Sequence, residues 1–234
     1  MPKLLLFDID GTLIRTNGAG RETIRFALEE LFGAAGPVDT YKFSGKTDPR
    51  IIIDLMTAVG IPREEVEAKL PTVYELMAQK GQEIFAQRGM RPCTGVPELL
   101  AALREHDNIV LGLLTGNSQI TAPIKLSAAG IDPDQFIVGA YGSDAMNRNE
   151  LPQIGMKRAK QLTGHSFNGK NTVIIGDTPA DIRCARAGQA KAVVVASGWH
   201  TADALAQYQP DHLFDNLSDT EEVLRTLFAV QEDD

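Results

Sequence analysis

Asp8 and Asp10 stand two residues apart and directly follow the apolar run at residues 4–7. Such a run is typical of a strand buried on both faces of a parallel sheet. Two carboxylates about 4 Å apart repel by about 1–4 kcal/mol, depending on the dielectric. A divalent cation would offset this repulsion, and Mg²⁺ prefers such oxygen ligands, often with a phosphate. The alternative is that the pair only ends the strand and caps the next turn.

A second acidic pair, Asp177 and Asp181, follows the apolar run at residues 172–175. Pro179 fits the first turn of a helix, which places Asp181 near the amino-terminal end of that helix. Because open α/β sheets bind ligands at the carboxyl ends of their strands, Asp177 could complete a cation site with Asp8. Asp181 could ligate the cation directly or through water. A helix cap without a ligand is the alternative.

Thr115, Gly116 and Asn117 follow the apolar run at residues 111–114. A threonine hydroxyl and the free backbone N–H groups of a helix start suit a phosphate oxygen, because the helix dipole favours negative charge there. In the alternative interpretation, Asn117 or Ser118 simply caps the helix.

Arg148 lies in the loop that follows a predicted strand at residues 136–139. Its guanidinium could neutralise a phosphate and hold a nucleophilic carboxylate. Lys157 and Lys160 lie within a predicted helix and therefore farther from the edge of the sheet. A solvated surface arginine is the alternative.

Strand and helix patterns alternate after residue 91, which predicts a parallel sheet with right-handed crossovers and helices on both faces. The first strand joins the same sheet. The predicted strands cover residues 4–7, 109–114, 136–139, 172–175 and 192–195, and the predicted helices of this part cover residues 118–129, 151–162, 180–187, 203–207 and 221–230. The predicted fold class is α/β, with a doubly wound, Rossmann-like core.

Residues 18–89 contain only helical patterns, in which apolar residues recur on one face. The predicted helices cover residues 19–32, 51–59 and 73–87, and glycines and prolines such as Pro71 separate them. We therefore expect an all-helical cap at residues 15–91, inserted into a catalytic core at residues 1–14 and 92–234. The hinges of the cap would lie at residues 13–17 and 90–94.

Composition and charge restrict the classes of function. The chain has 234 residues, 43% apolar and 23% charged, as in ordinary globular proteins. The net charge of −8 argues against nucleic acid as a partner. We find no apolar run of about 20 residues and no leader, and therefore expect neither a membrane span nor a signal peptide. Cys93 and Cys184 lie far apart in the sequence, which favours reduced thiols and a cytoplasmic location.

Four segments together resemble the motifs of the haloacid dehalogenase-like (HAD) superfamily of phosphohydrolases, and the resemblance extends over nearly the whole chain. Asp8-Ile9-Asp10-Gly11-Thr12 is similar to the first motif, Leu113-Leu114-Thr115-Gly116-Asn117 to the second, and Gly176-Asp177-Thr178-Pro179-Ala180-Asp181 to the fourth. The third motif usually has a lysine, often followed by proline, where this chain has Arg148-Asn149. Arginine keeps the charge but changes the contact geometry. The cap resembles the C1 type, and the nearest subgroup is similar to phosphoglycolate phosphatases.

The resemblance implies a role for each acidic residue. Asp8 would be the nucleophile that forms an aspartyl-phosphate, and Asp10 would be the general acid and base. Mg²⁺ would be held by the Asp8 carboxylate, the Asp10 backbone carbonyl and Asp177, with Asp181 in support. Phosphoryl oxygens would contact Thr115 and the backbone N–H groups around Ile9, Asp10, Gly116 and Asn117, and Arg148 would take the third-motif role.

The cap segment at residues 44–48 is predicted to face the site. Gly45 permits a close approach, and Lys46 could meet a second anionic group of the substrate. A loop before a helix that Asp48 caps is the alternative. Trp199 and His200 follow the last predicted strand and are candidates for the edge of the site.

The resemblance implies a Mg²⁺-dependent phosphatase that acts on a small phosphorylated metabolite, with phosphoglycolate as the first compound to test. A sugar-phosphate mutase similar to β-phosphoglucomutase and a non-catalytic phosphate-binding module are the alternatives. Asp10 argues against a dehalogenase, because a halide leaving group needs no proton. We expect a monomer or a homodimer.

Overall fold

Six parallel strands form the sheet of the computed structural model, which describes residues 2–229. The strands are β1 Lys3–Phe7, β4 Ile109–Thr115, β5 Val138–Tyr141, β6 Thr172–Gly176, β7 Lys191–Val195 and β8 His212–Phe214. Their order across the sheet is β5-β4-β1-β6-β7-β8, with β1 hydrogen-bonded to β4 and β6. The predicted fold class is confirmed.

Helices cover both faces of the sheet because side chains alternate along β1. Leu5 and Phe7 pack on one face with residues of α4 Val96–Leu103, α5 Thr121–Ala128 and α9 Thr220–Phe228. Leu4 and Leu6 pack on the other face with residues of α6 Leu151–Thr163, α7 Pro179–Ala187 and α8 Ala202–Ala206. All four β1 side chains are fully buried, as expected of a central parallel strand.

Three helices, α1 Ala19–Phe32, α2 Asp48–Thr57 and α3 Arg63–Arg88, form the segment expected to be the cap. They share an apolar core of their own, which includes Leu28, Leu55 and Met77. The chain enters and leaves this segment through β2 Ile14–Arg15 and β3 Arg91–Pro92, which pair with each other in antiparallel orientation. This short ribbon lies where the hinges were predicted.

The structure corrects several predicted boundaries. Pro71 does not end a helix, because it lies within the 26-residue α3, where Val66 and Val73 on either side of it are buried in the cap core. The packing of long helical flanks outweighs the local cost of the proline. No helix within residues 2–229 is both long and apolar enough to cross a bilayer.

On the core side, β5 starts two residues later than predicted, because residues 133–135 form a 3-10 turn and Phe136 packs edge-on against Phe7. Strand β8, a three-residue strand that pairs with β7 at the edge of the sheet, was not predicted from the sequence. The last predicted helix, residues 221–230, corresponds to α9, and Val230 lies outside the described residues.

Candidate active site

Three buried carboxylates meet at the carboxyl ends of β1 and β6. Each of Asp8, Asp177 and Asp181 offers one carboxylate oxygen, and these three oxygens lie within 4.8 Å of one another. The register explains the meeting, because Phe7 pairs with Ile175 and both strands then run out at the same edge. Asp181 arrives from the first turn of α7. Parallel pairing therefore brings Asp8 of the first predicted pair together with both members of the second.

Arg148 lies among these carboxylates. Its Nη2 atom is 3.1 Å from Asp8 Oδ1 and 2.5 Å from Asp181 Oδ1. The residue is buried, in the 3-10 turn that precedes α6, whereas Lys157 and Lys160 are exposed on that helix. Within residues 2–229, the Nε atom of Arg148 is a buried donor without a hydrogen-bond partner. A donor in that state is available to an anionic ligand.

Burial and mutual repulsion dominate the electrostatics of the cluster. Burial raises the pKa of Asp8 to about 6, although Arg148 acts to lower it. The pKa of Asp177 is raised well above its ordinary value by burial and by the negative charges of Asp181 and Asp8. One guanidinium therefore faces three carboxylates. Hard oxygen ligands with excess negative charge fit a divalent cation such as Mg²⁺.

The backbone closes tightly around Asp177. A Cβ atom at Gly11, whose φ is +93°, would lie 2.4 Å from Asp177 Oδ2, and one at Gly198 would lie 1.7 Å from the same oxygen. The Thr12 hydroxyl donates to Asp177 Oδ1 over 3.3 Å. These glycines allow main chain to approach the carboxylate more closely than any side chain would permit.

Asp181 fits both interpretations of its position, as a cap of α7 and as a member of the acidic cluster. Its Oδ2 atom accepts hydrogen bonds from the backbone N–H and the hydroxyl of Thr178, which forms a capping box at the start of α7. Its Oδ1 atom accepts from Arg148. The cap of α7 and the acidic cluster therefore share one carboxylate, which suits a supporting position at the site.

Asp10 faces a different group of residues. Its carboxylate accepts hydrogen bonds from the Lys125 ammonium at 2.8 and 3.0 Å and from the Asn117 amide at 2.5 Å. The same amide donates to Thr115 Oγ1 over 2.7 Å. The Asp10 side chain keeps 36% of its surface exposed, although Asp8 is buried. The two aspartates therefore present carboxylates to separate surroundings, as different chemical roles would require.

Lys125 is the residue of this group that sequence reasoning missed. It is the only charged residue between Ser118 and Gly130 and lies in the otherwise uncharged helix α5. A lone cation in such a helix is a usable signal, because a lysine is seldom buried without a partner. Periodicity alone did not indicate the partner, which is 115 residues away.

The segment at residues 44–48 packs directly on the core. A Cβ atom at Gly45 would lie 2.5 Å from Ala180 Cβ, and the Asp48 backbone N–H donates to the Gly116 carbonyl over 2.7 Å. The Asp48 carboxylate accepts from the Ser118 backbone N–H at 2.8 Å. Asp48 is thus not the cap of α2 suggested as the alternative, because Thr47 occupies that position and Asp48 bonds to the core instead.

Other predicted residues lie at the margin of the site. The Lys46 ammonium lies 3.8 Å from the centroid of the Tyr41 ring and faces the cap, so only the backbone of Lys46 approaches Gly116. His200 Nε2 is 3.1 Å from Ser44 Oγ, which adds a contact between core and cap. Trp199 beside it is 89% exposed.

The positions expected to bind phosphate surround Asp8 and Asp10. The Ile9 backbone lies between them and hydrogen-bonds the Asp8 carboxylate. Thr115 is fully buried at the end of β4, next to β1 in the sheet, and Gly116 follows it. A pocket of hydroxyl and backbone donors beside a carboxylate nucleophile is what a transferred phosphoryl group requires.

Comparison with known proteins gives a consistent result. A family model described as haloacid dehalogenase-like hydrolase matches residues 5–195. Pyrophosphatase PpaX of Listeria monocytogenes is 24% identical over 228 residues, covering 94% of this chain and 95% of the relative. Phosphoglycolate phosphatase of Nitrosococcus oceani is 24% identical over 231 residues, covering 95% and 96%.

Solved structures show the same fold. A hydrolase from Pseudomonas syringae superposes with a TM-score of 0.71 at 21% identity and covers 98% of this chain and 100% of its own. A predicted phosphoglycolate phosphatase from Haemophilus somnus has a TM-score of 0.65 at 20% identity, covering 95% and 97%. The chain therefore belongs to the haloacid dehalogenase-like hydrolase family.

Proposed function

We propose that the chain is a Mg²⁺-dependent phosphatase that hydrolyses a small phosphorylated metabolite through an aspartyl-phosphate on Asp8. One observation carries the proposal. Asp8 lies with Asp177, Asp181 and Arg148 at the end of the central strand, while Asp10 faces other partners two residues later. This arrangement separates a nucleophile in a charged cluster from a proton-transfer group.

In this mechanism the Asp8 carboxylate oxygen attacks phosphorus, and the bond to the leaving oxygen breaks. Asp10 gives its proton to that oxygen, and then accepts a proton from the water that cleaves the aspartyl-phosphate. The Thr115 hydroxyl, the backbone N–H groups at Gly116 and Asn117, and Arg148 would hold the phosphoryl oxygens. The protein ends each cycle in its initial protonation state, with phosphate and an alcohol released.

The acidic cluster is the reason to propose a resident metal ion. Asp8, Asp177 and the backbone carbonyl of Asp10 would hold Mg²⁺, and Asp181 would support them. The ion would neutralise the charge that the carboxylates and the phosphate bring together. The excess of carboxylates over guanidinium at the cluster is the observation that favours a cation.

The contacts between the cap and the core favour a small substrate. Gly45 and the backbone of Lys46 contact the core loops directly, so the closed segment leaves the leaving group little room. One relative is called a phosphoglycolate phosphatase and another a pyrophosphatase. We therefore place phosphoglycolate first in the substrate panel, with inorganic pyrophosphate beside it.

The test is phosphate release by the purified chain from p-nitrophenyl phosphate and a panel of phosphorylated metabolites. We expect turnover with Mg²⁺, loss of turnover with EDTA and recovery when Mg²⁺ is added back. Asp8→Asn should lose at least about 10³-fold in kcat, because it removes the nucleophile. Asp203→Asn, which changes an exposed aspartate of α8 in the same way, should keep the wild-type rate.

Three outcomes would contradict the proposal. Absence of Mg²⁺-dependent phosphate release from the whole panel would favour the non-catalytic phosphate-binding module. Isomerised sugar phosphate with little free phosphate, and a requirement for a bisphosphate primer, would favour the mutase. Full activity of Asp8→Asn would remove the aspartyl-phosphate from the mechanism.

We also propose a cytoplasmic location, which is supported by the two cysteines, both buried free thiols. The expected monomer or homodimer remains a prediction that size-exclusion chromatography with light scattering can test.

A further inference from the structure

Lys125 is a buried cation with a defined set of partners. Its side chain is 7% exposed, and its ammonium donates to both Asp10 oxygens and, over 2.5 Å, to Asn117 Oδ1. An ammonium can donate three hydrogen bonds, and these three contacts use them all. The reaction proposed above gives this lysine no role.

Neighbouring helices cover the ammonium and hold the helix that carries it. A Cβ atom at Gly20 of α1 would lie only 3.2 Å from Lys125 Nζ, so α1 covers the ammonium from the cap side. Ala122 and Leu126 of α5 pack in the apolar cluster that also contains Ile84 and Phe85 from the carboxyl-terminal part of α3. The helix that carries Lys125 is therefore held in place by apolar packing.

Burying a lysine without a charged partner is unfavourable, because removing its ammonium from water has a large cost in free energy. Here the pairing is bidentate, and it involves the one carboxylate of the site that stays partly exposed. Asn117 reinforces the geometry, because its amide nitrogen donates to Asp10 and its oxygen accepts from Lys125. Three side chains therefore form a closed ring of hydrogen bonds around the Asp10 carboxylate.

We infer that Lys125 is a positioning residue that holds the Asp10 carboxylate in the orientation from which it exchanges a proton with the leaving oxygen. This inference rests on the proposed function, in which Asp10 is the general acid. Lys125 touches neither the phosphoryl group nor the nucleophile in this scheme. It acts through Asp10, by removing the side-chain freedom that would otherwise place the proton away from the departing oxygen.

The charge of the same ammonium also acts on a carboxylate of the cap segment, Asp48. Asp48 is buried and bonded to the Ser118 backbone N–H, and Lys125 is the cation whose charge acts on it most strongly. Asp48 comes from the segment that packs on the core, whereas Asp10 comes from the core itself. The charge of Lys125 therefore acts on one carboxylate of the core and one of the cap segment.

The dependence of kcat/KM on the leaving group distinguishes a loss of Asp10 positioning from general damage to the protein. The value of kcat/KM reports only the steps through departure of the leaving group. p-Nitrophenolate departs readily without a proton, whereas phenolate and p-methoxyphenolate need general-acid assistance. These aryl phosphates have similar shapes, so their contacts with the cap largely cancel in a ratio.

We therefore predict that Lys125→Met lowers kcat/KM for phenyl and p-methoxyphenyl phosphate by at least about ten-fold more than for p-nitrophenyl phosphate, since positioned general acids supply about 10²–10⁴-fold. Lys125→Arg, which keeps the charge, should return the ratio toward the wild-type value. The ratio is measured on one preparation and does not depend on the fraction that is folded. Lys125→Gln supplies the same ratio if Lys125→Met does not fold.

Arg158→Met is the matched control, because it removes a cation from another ion pair of the core, with Asp144, away from Asp10. We expect it to leave the ratio unchanged. An equal loss for all aryl phosphates in the Lys125 variants would overturn the inference and leave the phosphatase intact. Wild-type protein inactive toward every phosphate ester would instead overturn the proposed function.

Discussion

At the scale of single residues, the position of Arg148 between two carboxylates explains why an arginine can stand where the family usually has a lysine. One guanidinium reaches Asp8 and Asp181, which come from different elements. Both contacts come from one nitrogen, Nη2, so the planar guanidinium keeps further donors in fixed directions, which a compact ammonium lacks. The unpartnered Nε atom of Arg148 remains for a third acceptor.

We predict that Arg148→Ala lowers kcat/KM by at least about 10²-fold, because it removes the guanidinium that contacts Asp8 and Asp181 and that would face the phosphoryl group. Phosphate release under saturating Mg²⁺ measures the effect. Lys157→Ala, on the exposed face of α6, should keep wild-type activity. The opposite pair of results would transfer the third-motif role to Lys157.

Residue types and spacing were sufficient to predict the acidic cluster but not the contact between Lys125 and Asp10. Asp8 and Asp177 follow buried strands, Thr115 is the last residue of another, and parallel pairing places these strand ends at one edge. Lys125 instead depends on which side of α5 faces the core and on how far its side chain extends. Contacts between distant segments of this kind leave no periodic pattern in the sequence.

At the scale of elements, α2 depends on the core for a bond that an isolated helix would lack. Its first residue, Asp48, accepts from Ser118, and burial raises the Asp48 pKa to about 6. The folded protein therefore holds this proton more tightly than the unfolded chain does. The contribution of the protonated Asp48 to the free energy of unfolding is therefore complete below about pH 4, and it is lost as the pH rises through about 6.

We predict that Asp48→Asn, which keeps an oxygen acceptor for Ser118, gains stability relative to wild type as the pH rises from 4 to 7. A pKa difference of roughly two units corresponds to about 3 kcal/mol of the free energy of unfolding. Urea unfolding of both proteins at each pH measures it. A difference between the two proteins that stays constant with pH would contradict the prediction, and Asp203→Asn serves as the exposed control.

Element boundaries were less predictable than element types. The alternation of strands and helices predicts the correct class, whereas the predicted break at Pro71 lies inside α3. Local propensity favours a break at proline, but the cap core holds residues on both sides of it. The edge strand β8 has only three residues, which is too short for a periodic signal.

At the scale of the whole molecule, the contact between cap and core depends on a glycine. Gly45 has φ +71° and meets the first turn of α7, where an added Cβ would lie 2.5 Å from Ala180 Cβ. We predict that Gly45→Ala keeps the cap from closing and lowers kcat/KM by about ten-fold or more, because closure excludes water and completes the site. Steady-state kinetics with the best substrate of the panel measures the loss.

Two further variants distinguish a defect in cap closure from backbone strain as the cause of the activity loss in Gly45→Ala. Gly33 ends α1 with nearly the same φ, +72°, and open space around it, so Gly33→Ala carries the strain without the clash and should keep its activity. Ala180→Gly removes the opposing methyl group and should restore activity to Gly45→Ala, giving a large coupling energy in a double-mutant cycle. Equal losses in Gly33→Ala and Gly45→Ala, with no rescue by Ala180→Gly, would show that strain alone lowers the activity and that the contact between Gly45 and Ala180 does not govern closure.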